Sequence, residues 1–204
     1  MFPLLLVTVI FWASSGNALH IIIDSPGYGC NTDRPLIEAI DKFHNKLRQR
    51  VAYGDAEING REFGPERQMY ALVYDCGLEA EAEREKKLPG YADLYHRGVV
   101  RFSGDYKGST VAAVEKILKT LYDDENAMKQ ITYQKATHFG CTGTPKKGTQ
   151  AGYRRMEWIC VYDKKPQDGE SVVEGNYCTE DKDCTFYKDS FCEWDLCYAR
   201  HARS

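Results

Sequence analysis

Eight cysteines, all downstream of residue 29, constrain this chain more than any other feature. Cys30, Cys76, Cys141 and Cys160 are spread widely, whereas Cys178, Cys184, Cys192 and Cys197 crowd together near the end. Such an even set reads as a disulfide framework in an exported chain, because an oxidising compartment pairs thiols that the cytosol keeps reduced. The N-terminus points to export. Residues 2–12 are an apolar run, and Gly16-Asn17-Ala18 offers the small-x-small pattern of a leader cleavage site, although the charged n-region is missing. A buried N-terminal strand is the alternative reading of that run. On the leader reading, residues 1–18 are a signal peptide and the protein is secreted and extracellular. Four bridges would then leave no thiolate for nucleophilic catalysis or metal binding. Their pairing stays open: Cys141 with Cys160 across one hairpin, and each with a more distant cysteine, are both geometrically conceivable.

Composition narrows the class. A net charge of −3 over 204 residues provides no basic field, so no nucleic-acid partner is expected. No stretch reaches the ~18 apolar residues of a membrane helix, so no membrane span is expected either. The chain is long enough to bury a real core, which the disulfides supplement. Residues 163–175 read as a polar connector. The layout is therefore a main domain over 19–162, followed by a linker and cysteine-rich tail over 163–204.

Periodicity supplies the elements. Leu36, Ile40, Phe43, Leu47 and Val51 mark a helix, with Asp33 and Pro35 as start signals and Gly54 as the stop. Met69, Leu72, Val73 and Cys76 read as the stripe of a second helix running on through residues 79–87. Val114, Ile117, Leu118 and Leu121 mark a third. Met156, Trp158, Cys160 and Tyr162 alternate as a strand, with 138–142 as its partner across a loop at 143–153 and 98–102 as a further strand. Helices around a small, largely antiparallel sheet make the fold class α+β, or a three-layer sandwich.

Several phrases then resemble one family. Phe43-His44-Asn45-Lys46-Leu47-Arg48 is similar to the HNxxR helix of the CAP superfamily (cysteine-rich secretory protein, antigen 5, pathogenesis-related). Val73-Tyr74-Asp75-Cys76 with Leu78-Glu79 resembles the second-helix signature of its nematode branch. His138-Phe139-Gly140-Cys141 and Trp158-Ile159-Cys160-Val161-Tyr162 resemble the family's GC…CxY hairpin. The four-cysteine tail is similar to that of the nematode activation-associated secreted proteins. The resemblance implies a three-layer α-β-α sandwich.

It also implies a cavity tetrad of two His and two Glu able to hold a divalent cation, and here the chain departs. His44 matches the first position and is the cavity remnant. The other three segments read Ala127-Met128-Lys129-Gln130, Tyr91-Ala92-Asp93-Leu94 and Ile117-Leu118-Lys119-Thr120, without the expected ligands. The site looks dismantled, so no metal and no cofactor are expected. On residue chemistry alone, His44 lies on the apolar side of its helix and reads as a satisfied core histidine more readily than as a ligand. No H-E-x-x-H, Gly-x-Ser-x-Gly or P-loop spacing is present, and no catalytic residue is assigned: the expectation is not an enzyme.

Function then falls to the surface. Lys146 and Lys147 in a hairpin loop, with Arg154 and Arg155 after it, form a basic projection suited to an acidic partner or sulfated glycan. Asp105 follows Gly104 in what reads as an exposed turn, similar to the integrin-binding loops of disintegrins. A solvated loop and an ordinary turn are the plain alternatives. Exposed aromatics in the tail are a third candidate, against a role in filling a small disulfide module. The family resemblance, in its hookworm anti-adhesive effectors, implies a secreted parasite protein that blocks host integrin-dependent adhesion or platelet aggregation. Its partner would be a host cell-surface receptor, an integrin on platelets or leukocytes. Lipid or sterol carriage, which the family also performs, is the alternative.

Overall fold

The computed structural model describes residues 23–24 and 29–200, apart from 59 and 171. The leader expectation for residues 1–18 lies outside them. Four helices are present among the described residues: α1 (Arg34–Tyr53), α2 (Cys76–Lys87), α3 (Thr110–Leu118) and α4 (Glu125–Ile131). The strands are β1 (Ile23–Asp24), β2 (Ala56–Ile58), β3 (Arg61–Phe63), β4 (Val73–Asp75), β5 (Gly98–Tyr106), β6 (His138–Lys147), β7 (Arg154–Tyr162), β8 (Phe191–Glu193) and β9 (Leu196–Tyr198). A five-stranded sheet runs β1-β4-β6-β7-β5. It is mixed rather than antiparallel throughout: β1, β4 and β6 pair in parallel, whereas β6, β7 and β5 form an antiparallel meander in space. Helix α2 packs on one face, and α1, α3 and α4 cover the other, giving the α-β-α sandwich.

Helix α1 begins and ends where its signals predict. Pro35 occupies the first turn, and Gly54 adopts a left-handed φ of 78° to cap the last carbonyls. Its inward face is unusual, because Asp41, His44, Asn45 and Arg48 are buried beside the apolar stripe. Each has a structural task. Asn45 pairs both ways with the Leu72 backbone, accepting from Leu72 N at 2.8 Å and donating to Leu72 O at 2.9 Å. Arg48 donates to the carbonyls of Tyr70, Ile131, Tyr133, Gln134 and Ala136.

Those contacts explain one correction. Residues 69–75, read as helical, are irregular over 69–72 and strand over Val73–Asp75, and the helix starts at Cys76. Their backbone groups are claimed from afar: Tyr70 N by Gln134 O, Ala71 N by Cys197 O, and Val73 N by Thr137 O. Long-range partners override a weak local period. Asp75 then caps α2, accepting from Gly77 N and Leu78 N. Gly140 lets β6 approach that helix start, where a Cβ would lie 2.1 Å from Glu79 N.

All eight cysteines are paired: Cys30–Cys76, Cys141–Cys160, Cys178–Cys192 and Cys184–Cys197. Cys141 and Cys160 face one another in the β6–β7 register, so the cross-hairpin alternative is the one realised. The tail does not stand apart. Leu196 and Tyr198 belong to the main core, and Phe191 and Trp194 pack against it. Cys197 N donates to Met69 O while Cys197 O accepts from Ala71 N. The tail aromatics thus serve mainly as core and lid, which fits the plainer of the two readings given to them.

Candidate functional site

His44 does not occupy a cleft wall. It is fully buried between α1 and the sheet, 2.7 Å from Ile40 O through Nδ1 and 2.7 Å from Tyr162 Oη through Nε2. Its ring stacks on Phe139 at 4.6 Å. Burial pushes its pKa down to about 4, so it is neutral at physiological pH. The expectation of a cavity remnant at His44 is therefore corrected: with both ring nitrogens hydrogen-bonded inside a closed core, its lone pair is already engaged and not free for an ion.

The other three segments matched to the tetrad do border open space. Two adjoining clefts share Arg101 and Asp124. One, of about 450 Å³, takes in Lys86, Thr120, Thr144 and Trp158; the other, of about 580 Å³, takes in Asp93, Ala127 and Gln130. Charges here are paired off. Arg101 binds Glu85, Lys86 binds Glu83, and Lys165 meets Asp93 at 2.8 Å. Lys86 holds the Glu83 carboxyl below its ordinary range by that hydrogen bond. Asp124 is spent on capping α4, accepting from Ala127 N at 2.9 Å. Among the described residues, the cluster of three or more metal-type ligands is Cys178, Cys184 and Cys197, all in disulfides. The residues of this cleft do not fit the divalent cation that the tetrad implies, since hard cations need several free oxygen or imidazole donors converging on one point.

Two buried polar atoms here are without partners, on opposite faces of the sheet: Trp158 Nε1 on the side of Phe102 and Leu121, and Thr144 Oγ1 on the side of Ile159 and α2. Both can donate to a ligand acceptor.

The surface candidates fare unequally. Gly104-Asp105 is not a turn: it lies within β5, which runs on to Tyr106. Asp105 accepts from Thr149 N at 2.9 Å, from the Thr149 hydroxyl, and from Arg155 at 3.1 Å. Thr149 leads in holding its carboxyl below the usual range. A carboxylate with its lone pairs so engaged is a poor ligand for a receptor's metal. Residues 144–147, read as loop, are strand, because β6 pairs with β7 to the last rung at Lys147 and Arg154. On that ribbon Lys146 meets Glu157 at 2.5 Å, and Arg155 is taken by Asp105. Arg154 stacks over Tyr106 at 4.7 Å and Lys107 over Tyr153 at 4.2 Å. Lys147 and Arg154 have no carboxylate partner among the described residues, so the basic projection shrinks to these two, with Lys107 beside them.

One feature escaped the sequence reading. Leu88, Leu94 and Tyr95 are 60%, 71% and 54% exposed on the loop between α2 and β5. That loop is held rigidly. Buried Glu85 accepts from Gly90 N at 3.1 Å and Ala92 N at 2.8 Å, and Tyr91 packs on Tyr95 at 5.2 Å with Arg84 over its ring. The sequence signal was available: apolar residues flanking Pro89-Gly90 have no period that would bury them.

Comparison with known proteins places this architecture. The family model described as "Cysteine-rich secretory protein family" (CAP) matches residues 42–162. The Ancylostoma secreted protein of Ancylostoma caninum is 26% identical over 228 residues, covering 97% of this chain and 50% of that protein, so the chain spans about half the length of that relative. The structure of Ancylostoma-secreted protein Ac-ASP-7 is 58% identical with a TM-score of 0.77, covering 90% of this chain and 99% of that one; a manganese-bound form of Ac-ASP-7 matches equally. Hookworm platelet inhibitor shares the fold at a TM-score of 0.55 and 19% identity, covering 85% of this chain and 96% of that one. With its sandwich, its hairpin and its HNxxR helix all accounted for, this chain belongs to the CAP family and resembles the hookworm secreted proteins of its nematode branch.

Proposed function

We propose that this protein is a secreted, non-enzymatic parasite effector that antagonises host integrin-dependent cell adhesion. The observation that carries the reading is the pre-organised apolar loop. Three large exposed apolar side chains stand on a backbone already fixed by buried Glu85, so binding there would lose little ordering entropy. The absence of a catalytic constellation from the sequence motifs supports a role in contact rather than chemistry. Four disulfides suit an oxidising, extracellular setting.

The test is adhesion of platelets and of leukocytes to immobilised fibrinogen, with the refolded protein titrated in. Dose-dependent block is expected. The double variant Leu94→Ala/Tyr95→Ala should raise the half-maximal concentration at least ~10-fold, since aromatic and apolar anchors near an interface centre contribute most of its energy. Lys147→Ala/Arg154→Ala should slow association with a smaller equilibrium effect. No block of either cell type sinks the proposal.

A second reading rests on the apolar side of that cleft, lined by Phe102, Leu121 and Trp158. Trp158 Nε1, without a partner there, suits an amphipathic ligand bearing an acceptor head, such as a lipid carboxylate. Organic extraction of protein expressed in eukaryotic cells should then release a fatty acid, and Trp158→Phe should reduce its yield. An extract free of lipid, together with no uptake of added fatty acid, rules this reading out.

A further inference from the structure

A third cleft, of about 420 Å³, opens between the polar connector and the turn after α4. Phe63, Glu66, Thr132, Tyr133, Gln134 and Val172 line it, and neither reading above uses it. Its inner wall is chemically incomplete. Glu66 is 7% exposed, and its Oε2 is buried with no hydrogen-bond partner. Folded proteins leave few such atoms, because a buried acceptor without a donor forfeits its hydration for nothing.

The obvious donor is already committed. Arg48 carries five N–H groups, and all five go to main-chain carbonyls. It reaches Glu66 only through its charge. Burial pushes the Glu66 carboxyl up to about 7, with Arg48 pulling the other way. Around the rim, Glu170 is held by Lys135 and Tyr133, and Lys129 meets Glu125 at 3.1 Å. Asp168 has no basic partner among the described residues. The cleft thus presents two acids without ion pairs, Glu66 at its base and Asp168 at its mouth, beside the rings of Phe63 and Tyr133.

We propose that this cleft binds a small organic cation, a protonated amine on an aromatic or short aliphatic body, with Glu66 accepting its N–H. An ammonium group supplies what the buried oxygen lacks, a donor, in the form of a charge-assisted hydrogen bond. The aromatic walls accept the body and favour a nearby cation. The volume lies within the range of small-molecule sites.

The probe is 2-phenylethylamine, titrated calorimetrically into the full refolded chain, with 2-phenylethanol as its uncharged analogue. The amine should bind, and the alcohol should bind at least ~10-fold more weakly, as expected when a charged hydrogen bond is lost. Glu66→Gln should weaken the amine by a similar factor and leave the alcohol unchanged. Val172→Trp, which fills the mouth with Glu66 intact, should abolish binding of both. Equal affinity for amine and alcohol overturns the proposal. So does full amine affinity in Glu66→Gln, or absence of amine binding up to millimolar concentration. Neither result bears on the adhesion assay, so the two proposals fail independently.

Discussion

Replacing Arg48 with methionine is expected to remove about 5 kcal/mol or more of folding stability, enough to unfold many domains of this size. The side chain is fully buried, and its guanidinium gathers the carbonyls of Tyr70, Ile131, Tyr133, Gln134 and Ala136. Ile131 ends α4, and the other four lie in irregular backbone with no strand ladder to satisfy them, although Gln134 O also accepts from Tyr70 N. Methionine fills much of the volume but donates nothing, so each carbonyl loses a charge-assisted bond inside a site that water does not reach. Arg48→Lys separates charge from geometry. An ammonium has three donors on a point, whereas these acceptors are arranged for a planar fork, so lysine should recover less than half of the loss. Urea denaturation of both variants measures this. A loss below about 2 kcal/mol for the methionine variant would mean that the carbonyls find other donors.

Asp41→Asn should act in the opposite direction, and in a pH-dependent way. Asp41 is 3% exposed, and burial pushes its carboxyl up to about 7, with the hydrogen bond from Asn45 opposing. The folded pKa lies above the unfolded one, so the folded state holds the proton more tightly. Its contribution to stability is present below about pH 4 and is lost as pH rises towards 7. Asparagine keeps an acceptor for Asn45 and never ionises. The variant should match wild type near pH 4 and exceed it by about 2–4 kcal/mol at pH 8. The comparison must be made as a difference. His44, held near 4, acts with the other sign, because unfolded chains take up its proton below about pH 6.5 and stability falls towards pH 4. Glu66 titrates in the same sense as Asp41, and both remain in the variant. A gain independent of pH would show that Asp41 is ionised in the fold at all these pH values.

The sequence disclosed what depends on local period and caps, and hid what depends on distant partners. Helix α1 was legible because Pro35, Gly54 and a five-member apolar stripe agree. The β7 alternation was legible for the same reason. Residues 69–75 were not, because Asn45, Thr137 and Cys197 decide their conformation from positions far along the chain. Gly104-Asp105 looked like a turn since its partner Arg155 lies 50 residues away. At the site, three of the four tetrad-matched segments do border open clefts. The misplaced one, His44, belongs to a motif whose neighbours Asn45 and Arg48 are structural too. In this chain the HNxxR phrase fastens irregular backbone to its helix through Asn45 and Arg48. Glu66 carries no sequence signal at all, since a lone acid after Gly64-Pro65 reads as ordinary loop until its burial is seen.

The way the tail is seated has a consequence for how such chains diversify. Its two disulfides close within the tail itself, yet Cys197 bonds to Met69 and Ala71, and Leu196 and Tyr198 complete the core beneath α1. No covalent link other than the connector joins the two parts. The packing nevertheless couples them. A gene that acquired its tail from a paralogue would import half of a contact surface fitted to a different helix, and both halves would have to change together. The loop at 148–153 is free of such coupling, whereas the loop at 88–95 is tied to the connector by Lys165 on Asp93.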